Sequence, residues 1–187
     1  MSNARNLANL LGTGAFVPTA KGGTGLTSGF ANGITEADEW RINTATASVN
    51  GIIDSNWERN DTNFQKIGTG MSVSSGTWSF PNTGKWLVNF HLYVYANAFT
   101  RYNDMYIQFT ADNGSSYNTR AYHSFPIPHA SSFMHTGGTT SATFDITDVS
   151  NHKIKFMFNP ENVSATTISG STANNNSYVQ FLKLAET

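Results

Sequence analysis

Residues 71–95, MSVSSGTWSFPNTGKWLVNFHLYVY, carry the clearest structural signal in this chain. They begin with a short strand pattern at residues 77–80, turn at Pro81-Asn82-Thr83-Gly84, and continue into a long alternating run. A period of two over ten residues predicts a β-strand with one face in a core. Because proline fixes φ and glycine or asparagine can take positive φ, the turn predicts a hairpin between the two strands.

The two faces of the long strand differ in chemistry. One face carries apolar residues and the other carries polar and aromatic residues with a single aliphatic one. The first set is Trp86, Val88, Phe90, Leu92 and Val94; the second is Lys85, Leu87, Asn89, His91, Tyr93 and Tyr95.

Length and composition exclude several classes of protein. A chain of 187 residues is one domain with appendages. It has no cysteine, which excludes disulfides and thiolate metal sites and fits assembly in a reducing compartment. The 11 basic and 12 acidic residues are scattered, so no nucleic-acid partner is expected. No apolar run approaches the roughly 20 residues that cross a bilayer, and MSNARNLANLL lacks the features of a signal peptide.

The surface composition indicates an oligomer. Only 12% of the residues are charged, whereas 13% are aromatic. Soluble monomers typically carry about a quarter charged residues. A poorly charged, aromatic chain is therefore expected to have part of its surface covered by neighbouring subunits.

The N-terminal region predicts a sticky tip and an arm. Residues 3–11 place Leu7, Leu10 and Leu11 on one helical face, with Arg5 pointing elsewhere, but the segment is too short to be a stable helix alone. Residues 12–34 are rich in glycine, as expected for an extended arm or linker. We therefore divide the chain into an arm, residues 1–33, and a head domain, residues 34–187.

The head domain predicts an all-β fold. Short alternating segments recur at a spacing of roughly ten residues with almost no helical pattern, which favours an antiparallel jelly-roll β-sandwich. Residues 126–140, which contain two prolines and Gly137-Gly138, and residues 164–177, rich in Ser, Thr and Asn, are interpreted as loops. If the protein binds a receptor, such loops are its expected site, through His129, Phe133 and His135; the alternative is that they only connect strands.

The central stretch resembles a known family. Residues 76–88, GTWSFPNTGKWLV, are similar to the signature of complement globular-head and tumour-necrosis-factor-like jelly rolls. The last strand pattern, residues 178–184, is similar to the closing strand of that family, and residues 143–147 with 154–158 match its penultimate hairpin. The resemblance implies a homotrimer, because such heads associate through the outer face of the sheet that contains the long central strand.

Transferred to this chain, that interface carries Leu87, His91, Tyr93 and Tyr95. Tyrosine and histidine on an exposed strand face are typical of protein interfaces. The alternative is that Tyr93 and Tyr95 lie at the rim of the core under a loop. His91 is interpreted as a hydrogen-bonding interface residue. The alternative is that three copies of His91 meet on the threefold axis and bind an ion.

A second resemblance covers the N-terminal region. The phrases ARNLANLLGTG, KGGTGLTS and ITEADEWR are similar to the opening segments of bacteriophage fibre and virion-appendage proteins, in which a tip and arm precede a trimeric head. This resemblance implies localisation on the virion, with Arg5, Leu7, Leu10 and Leu11 in the attachment tip. The chain has no coiled-coil or β-helical shaft pattern, so its position on the particle is left open.

No catalytic site, metal site or cofactor is predicted. The five histidines have no metal-ligand spacing, and no serine lies in a nucleophile-elbow sequence. Two carboxylate pairs are the candidates for glycan cleavage, Asp104 with Asp112 and Asp145 with Asp148, but their positions are those expected of turn residues. For Asp145 and Asp148 calcium binding is a further alternative, and a solvated strand end is the preferred interpretation.

Three functions remain as hypotheses. The first is a virion fibre or adhesin head that recognises a host surface glycan or protein. The second is a decoration or cement subunit that stabilises a capsid. The third, a cellular cytokine-like or complement-like ligand, is disfavoured by the absence of cysteines and of a signal-peptide pattern.

Overall fold

The computed structural model describes residues 33–128 and 132–187. The predicted tip, with Arg5, Leu7, Leu10 and Leu11, and nearly all of the arm lie outside the described residues, as does His129. The division between arm and head therefore stays a prediction.

The described residues form fourteen strands and one 3-10 turn, Val163–Ala165. The strands are β1 (Ala37–Ile42), β2 (Thr46–Ala47), β3 (Gly51–Ile52), β4 (Trp57–Arg59), β5 (Lys66–Ile67), β6 (Ser72–Ser74), β7 (Thr77–Ser79), β8 (Gly84–Ala96), β9 (Asn103–Thr110), β10 (Asn118–Ser124), β11 (Met134–Ile146), β12 (Lys153–Pro160), β13 (Thr166–Ile168) and β14 (Tyr178–Ala185). Within the described part of the chain, no helix is long and apolar enough to cross a membrane.

The strands form two antiparallel sheets. The β8 sheet has β11 along one edge of β8 and both β14 and β13 along the other, with β1 beyond β14. The β12 sheet has the order β10-β9-β12-β7-β6, and β3 also pairs with β12. The predicted all-β, antiparallel jelly-roll sandwich is confirmed.

The core lies between the two sheets and is dominated by aromatic rings. The alternation along β8 is as predicted: its apolar residues are buried and its other face is partly exposed. Trp78 of β7 is fully buried and meets Trp40 of β1 edge to face, with ring centroids 5.2 Å apart. It also contacts Trp57 and Phe181 at 5.3 and 5.2 Å. Trp78 thus joins the two sheets through close aromatic contacts.

The predicted hairpin at residues 77–95 is wrong. β7 pairs with β12 and β6, whereas β8 lies in the other sheet, so the Pro-Asn-Thr-Gly turn carries the chain across the sandwich. The predicted pairing of residues 143–147 with 154–158 is wrong for the same reason, since β11 and β12 lie in different sheets. Alternation gives the inward face of a strand but not its neighbour, because either arrangement buries the same side chains.

The two predicted loops are partly strands. β11 begins at Met134, so Gly137-Gly138 lies inside a long strand and does not form a turn. A Cβ at Gly138 would approach His123 and Phe125 within 2.5 Å, so this glycine allows close packing. β13, inside residues 164–177, pairs with β8 and β2.

Two buried carboxylates hold β1 in place, a feature that sequence reasoning missed. Glu36 accepts hydrogen bonds from the backbone of Thr69 and Gly70 at 3.1 and 3.0 Å. Asp38 accepts a hydrogen bond from the backbone of Met71 at 2.7 Å and pairs with Arg59 at 2.9 Å. Charge-assisted bonds of this kind fix the loop before β6 against the first strand.

Candidate functional site

The four residues predicted for a trimer interface share one outward face. Leu87, His91, Tyr93 and Tyr95 are half-buried on β8, on the side opposite the buried Trp86 and its apolar neighbours. β11 flanks them on one side and β13 and β14 flank them on the other, so they lie in the middle of the sheet. Whether these residues form an interface stays a prediction.

The outward face is more aromatic than the sequence indicated, because side chains from neighbouring strands join it. His135 of β11 stacks on Tyr93 with centroids 5.5 Å apart and an interplanar angle of 19°. Tyr95 lies 5.3 Å from His135 and 5.6 Å from Phe133. At the other end, Tyr178 of β14 lies 5.1 Å from His91. We call these six residues the aromatic stripe: Tyr178, His91, Tyr93, His135, Tyr95 and Phe133.

The predicted receptor residues do not form one loop. His135 is paired with Tyr95 inside β11, and Phe133 directly precedes that strand with 57% of its surface exposed. Both therefore belong to the aromatic stripe, on the face predicted for the trimer. Any role of these residues in receptor binding stays a prediction.

His91 is held in a defined, partly desolvated position. Its Nδ1 atom shares a hydrogen bond of 2.8 Å with the hydroxyl of Thr139 on β11. Desolvation lowers the pKa of His91 because burial disfavours the charged imidazolium. At neutral pH the stripe is therefore uncharged at this position.

Beyond β14 the same sheet face is polar and internally paired. Glu39 accepts hydrogen bonds from the side-chain amides of Asn60, Asn175 and Gln180. Arg41, which is almost fully buried, donates to Glu58 at 3.1 Å. These polar groups therefore satisfy one another's hydrogen-bonding capacity.

The remaining candidate carboxylates have structural partners. Asp145 pairs with Lys85, and Asp148 accepts backbone hydrogen bonds from the turn that follows it. Asp112 binds Ser116 and Thr110, which lower its pKa to about 2. In residues 33–128 and 132–187, no group of three or more His, Cys, Asp or Glu side chains is arranged to hold a metal ion.

Asp104 is different from the other three. It is the second residue of β9 and points outward from the β12 sheet, and its partners are side chains of that sheet where a turn residue would bind turn backbone. Its carboxylate accepts hydrogen bonds from the phenols of Tyr106 and Tyr122 at 3.1 and 3.0 Å. Sequence reasoning missed this cluster, because Tyr122 comes from the next strand.

Comparisons with known proteins give a likeness in structure and none in sequence. No protein-family model matches the chain, and no curated protein matches it. The crystal structure of murine APRIL superposes with a TM-score of 0.53 at 13% identity, covering 80% of this chain and 98% of APRIL. The structure of Eiger TNF from S. frugiperda gives a TM-score of 0.59 at 11% identity, covering 83% of this chain and 96% of Eiger. Identities this low show the fold alone, and that fold is a jelly roll like those of the tumour-necrosis-factor proteins.

Proposed function

We propose that the chain is a non-enzymatic structural protein of a bacteriophage virion, a homotrimeric fibre or adhesin head that recognises the host surface. Its N-terminal arm attaches it to other virion proteins. The observation that carries the homotrimer is the aromatic stripe on the outward face of the β8 sheet.

The stripe has the composition of an interface core. Its six members are tyrosine, histidine and phenylalanine, the kind of side chain enriched where protein surfaces meet, and none is acidic or lysine. Large rings held against each other lose little conformational freedom when a partner covers them. The polar residues nearer β1 would then form the rim.

The likeness in fold supports the same arrangement. In tumour-necrosis-factor-like heads the sheet with the long central strand faces the threefold axis, and in this chain that sheet contains β8 and the stripe. Three such faces would bring Leu87, His91, Tyr93 and Tyr95 of each copy towards the same axis. An uncharged His91 is suited to this position, because three imidazolium groups near one axis would repel one another.

The virion assignment is supported by the order of segments along the chain. A short tip with Arg5, Leu7, Leu10 and Leu11 is followed by a glycine-rich arm and then by the head. This order is similar to that of phage appendage proteins, and the low charge of the whole chain fits a subunit that is partly covered in an assembly.

The oligomer is tested by sedimentation equilibrium of the full chain at micromolar concentration. We expect a mass three times that of the polypeptide for the wild type and a single-copy mass for Tyr93→Lys, because three charges would be buried near one axis. Tyr122→Lys is the matched control: this tyrosine is also exposed on a strand but lies on the other sheet, and the variant should remain trimeric. A wild type that sediments as a single polypeptide would overturn the proposal.

The attachment role is tested separately on particles. Deleting residues 1–33 should leave the head folded but abolish its incorporation into virions, and purified full-length protein should bind host cells. A decoration subunit is the alternative, since the chain lacks a shaft pattern that would project a head from the particle. That alternative predicts particles that lose heat stability without the protein and a protein that ignores host cells.

A further inference from the structure

We propose that the outward face of the β12 sheet is a binding site for neutral carbohydrate, formed by Tyr106, Tyr122 and Asp104. We call these three residues the tyrosine platform. The site could serve host recognition, but it requires neither the trimer nor the virion assignment, because it lies entirely within one sheet of one chain.

Three parallel rows of side chains cross this face. The strand register places Tyr122, Tyr106 and Met157 side by side on β10, β9 and β12. On one side of this row lies a polar row, Ser124, Asp104 and Asn159; on the other lies a second polar row, Thr119, Gln108 and Lys155. Adjacent rows are separated by two residues along β9 and β12, about 7 Å. On β10 a bulge between Thr119 and Ala121 adds one residue between the tyrosine row and the Thr119 row. A hydrophobic stripe between two hydrogen-bonding rows matches a pyranose ring, which has C–H groups on its faces and hydroxyls around its edge.

The two tyrosine rings form the apolar part of the platform. Their centroids are 5.1 Å apart with an interplanar angle of 39°, so they present a continuous surface without a gap between them. Tyr122 is 53% exposed, far above what a residue in the core shows. Tyr102, 41% exposed, precedes β9 and is close enough to Tyr106 to influence its ionisation. Two adjoining rings that are held by contact with each other can bury an apolar ligand face at little entropic cost.

Asp104 supplies the polar part. Each of its carboxylate oxygens accepts one phenol hydrogen bond, and a carboxylate has about four acceptor positions. Two remain for ligand hydroxyls. Burial and Asp104 raise the pKa of Tyr106 to about 12, so its phenol stays protonated and keeps the carboxylate oriented at neutral pH.

The charge of the platform selects a neutral ligand. Among the described residues, Asp104 has no cationic partner, so an anionic ligand would be repelled. The polar row on the far side of the tyrosines contains Lys155, but its Nζ lies 3.9 Å from the ring centroid of Tyr117 and is engaged there. A quaternary ammonium ion needs rings that surround it, whereas Tyr106 and Tyr122 are packed against each other. A polyol that donates hydrogen bonds to Asp104 and lays its ring on the tyrosines meets both conditions.

The platform also faces away from the aromatic stripe. The two lie on the outer faces of opposite sheets, so a trimer formed through the β8 sheet would leave three platforms in solvent. Three copies on one particle head would strengthen binding to a repetitive polysaccharide by multivalency.

The test is titration of the full chain with neutral trisaccharides, maltotriose, cellotriose, mannotriose and triacetylchitotriose, followed by ligand-observed NMR and calorimetry. We expect at least one to bind, and Tyr122→Ala to weaken its association about tenfold, since a stacked ring contributes on the order of 1.4 kcal/mol. Tyr122→Phe, which keeps the ring and removes its hydrogen bond to Asp104, should cost less than Tyr122→Ala. Asp104→Asn should weaken binding more than Tyr122→Phe does.

Phe64→Ala is the matched control, because this exposed aromatic lies in the other sheet's β4–β5 connection and its loss should leave sugar binding unchanged. Circular dichroism of each variant separates loss of binding from loss of fold. The proposal is overturned if none of the four sugars binds, if Tyr122→Ala binds them as well as the wild type does, or if choline binds the platform and displaces them. The sedimentation mass, measured on the same samples, reports on the trimer independently.

Discussion

The two outward faces of the sandwich are both aromatic, yet their aromatic residues are arranged differently. On the β8 sheet the contacts within the aromatic stripe are between rings, and no carboxylate takes part in them. On the β12 sheet the two tyrosines lie between two polar rows and donate hydrogen bonds to the carboxylate of Asp104 in one of them. The first arrangement offers area to another protein surface, and the second offers directed hydrogen bonds to a small polar ligand. Aromatic content alone would not distinguish them.

The largest expected effect comes from Trp78, which packs in the core between the two sheets. Trp78→Ala should lower the free energy of unfolding by about 3–5 kcal/mol, because it leaves a cavity between both sheets. Urea denaturation of the full chain measures the loss. Tyr122→Ala, on the exposed side of the β12 sheet, should stay within about 0.5 kcal/mol of the wild type. Equal losses for the two variants would contradict the placement of Trp78 at the shared core.

A smaller effect is expected from pH, which should change the association of the β8 face and not ligand binding on the β12 face. Desolvation in the folded chain lowers the pKa of His91 from its ordinary 6.5, so folding favours the neutral ring. The stability that this preference gives is present above pH 6.5 and is lost as the pH falls through the lowered pKa. The proposed trimer would desolvate the ring further, so we expect trimer dissociation to rise below that pH, measured by sedimentation.

His91→Asn should reduce this pH dependence, whereas sugar binding on the β12 sheet should not change over the same range. His135, also in the stripe, is replaced in a second variant to separate its contribution. A trimer whose dissociation is the same at pH 5 and pH 8 would contradict the placement of His91 in the trimer interface.

The smallest effect is expected in the β9–β10 turn. Hydrogen bonds from Ser116 and Thr110 lower the pKa of Asp112 to about 2. The stabilisation is thus complete above its ordinary value of 3.8 and is lost as the pH falls towards 2. Asp112→Asn should remove this acid-dependent change in the exchange of the Ser116 amide while leaving the oligomer intact. An unshifted Asp112 titration by NMR would contradict it.

The sequence predicted which side of a strand faces the core better than it predicted which strands pair with each other. Alternation along residues 85–95 assigned every side chain of β8 to the correct side, because a strand's period of two depends only on local geometry. The turn before β8 was also located correctly. That this turn crosses between sheets, where a hairpin was predicted, depends on which distant strand, β12 or β14, completes each ladder.

Glycine was misleading for a related reason. Gly137-Gly138 is typical of a loop, but both residues lie inside β11. The position of Gly138 requires a glycine because His123 and Phe125 leave no room for a side chain. Glycine is found both in turns and where a strand packs closely against a neighbour, so the residue type alone does not distinguish the two. Only the contact with β10 and the segment after it distinguishes them.

The sequence by itself determined the all-β class and the inward and outward sides of the long central strand. Each depends on composition or on near neighbours along the chain. The tertiary structure alone decided that Phe133 and His135 join Tyr93 and Tyr95, and that Asp104 meets Tyr106 and Tyr122. Both groupings bring together residues from different strands, and strand register across a sheet is set by the packing of the whole core.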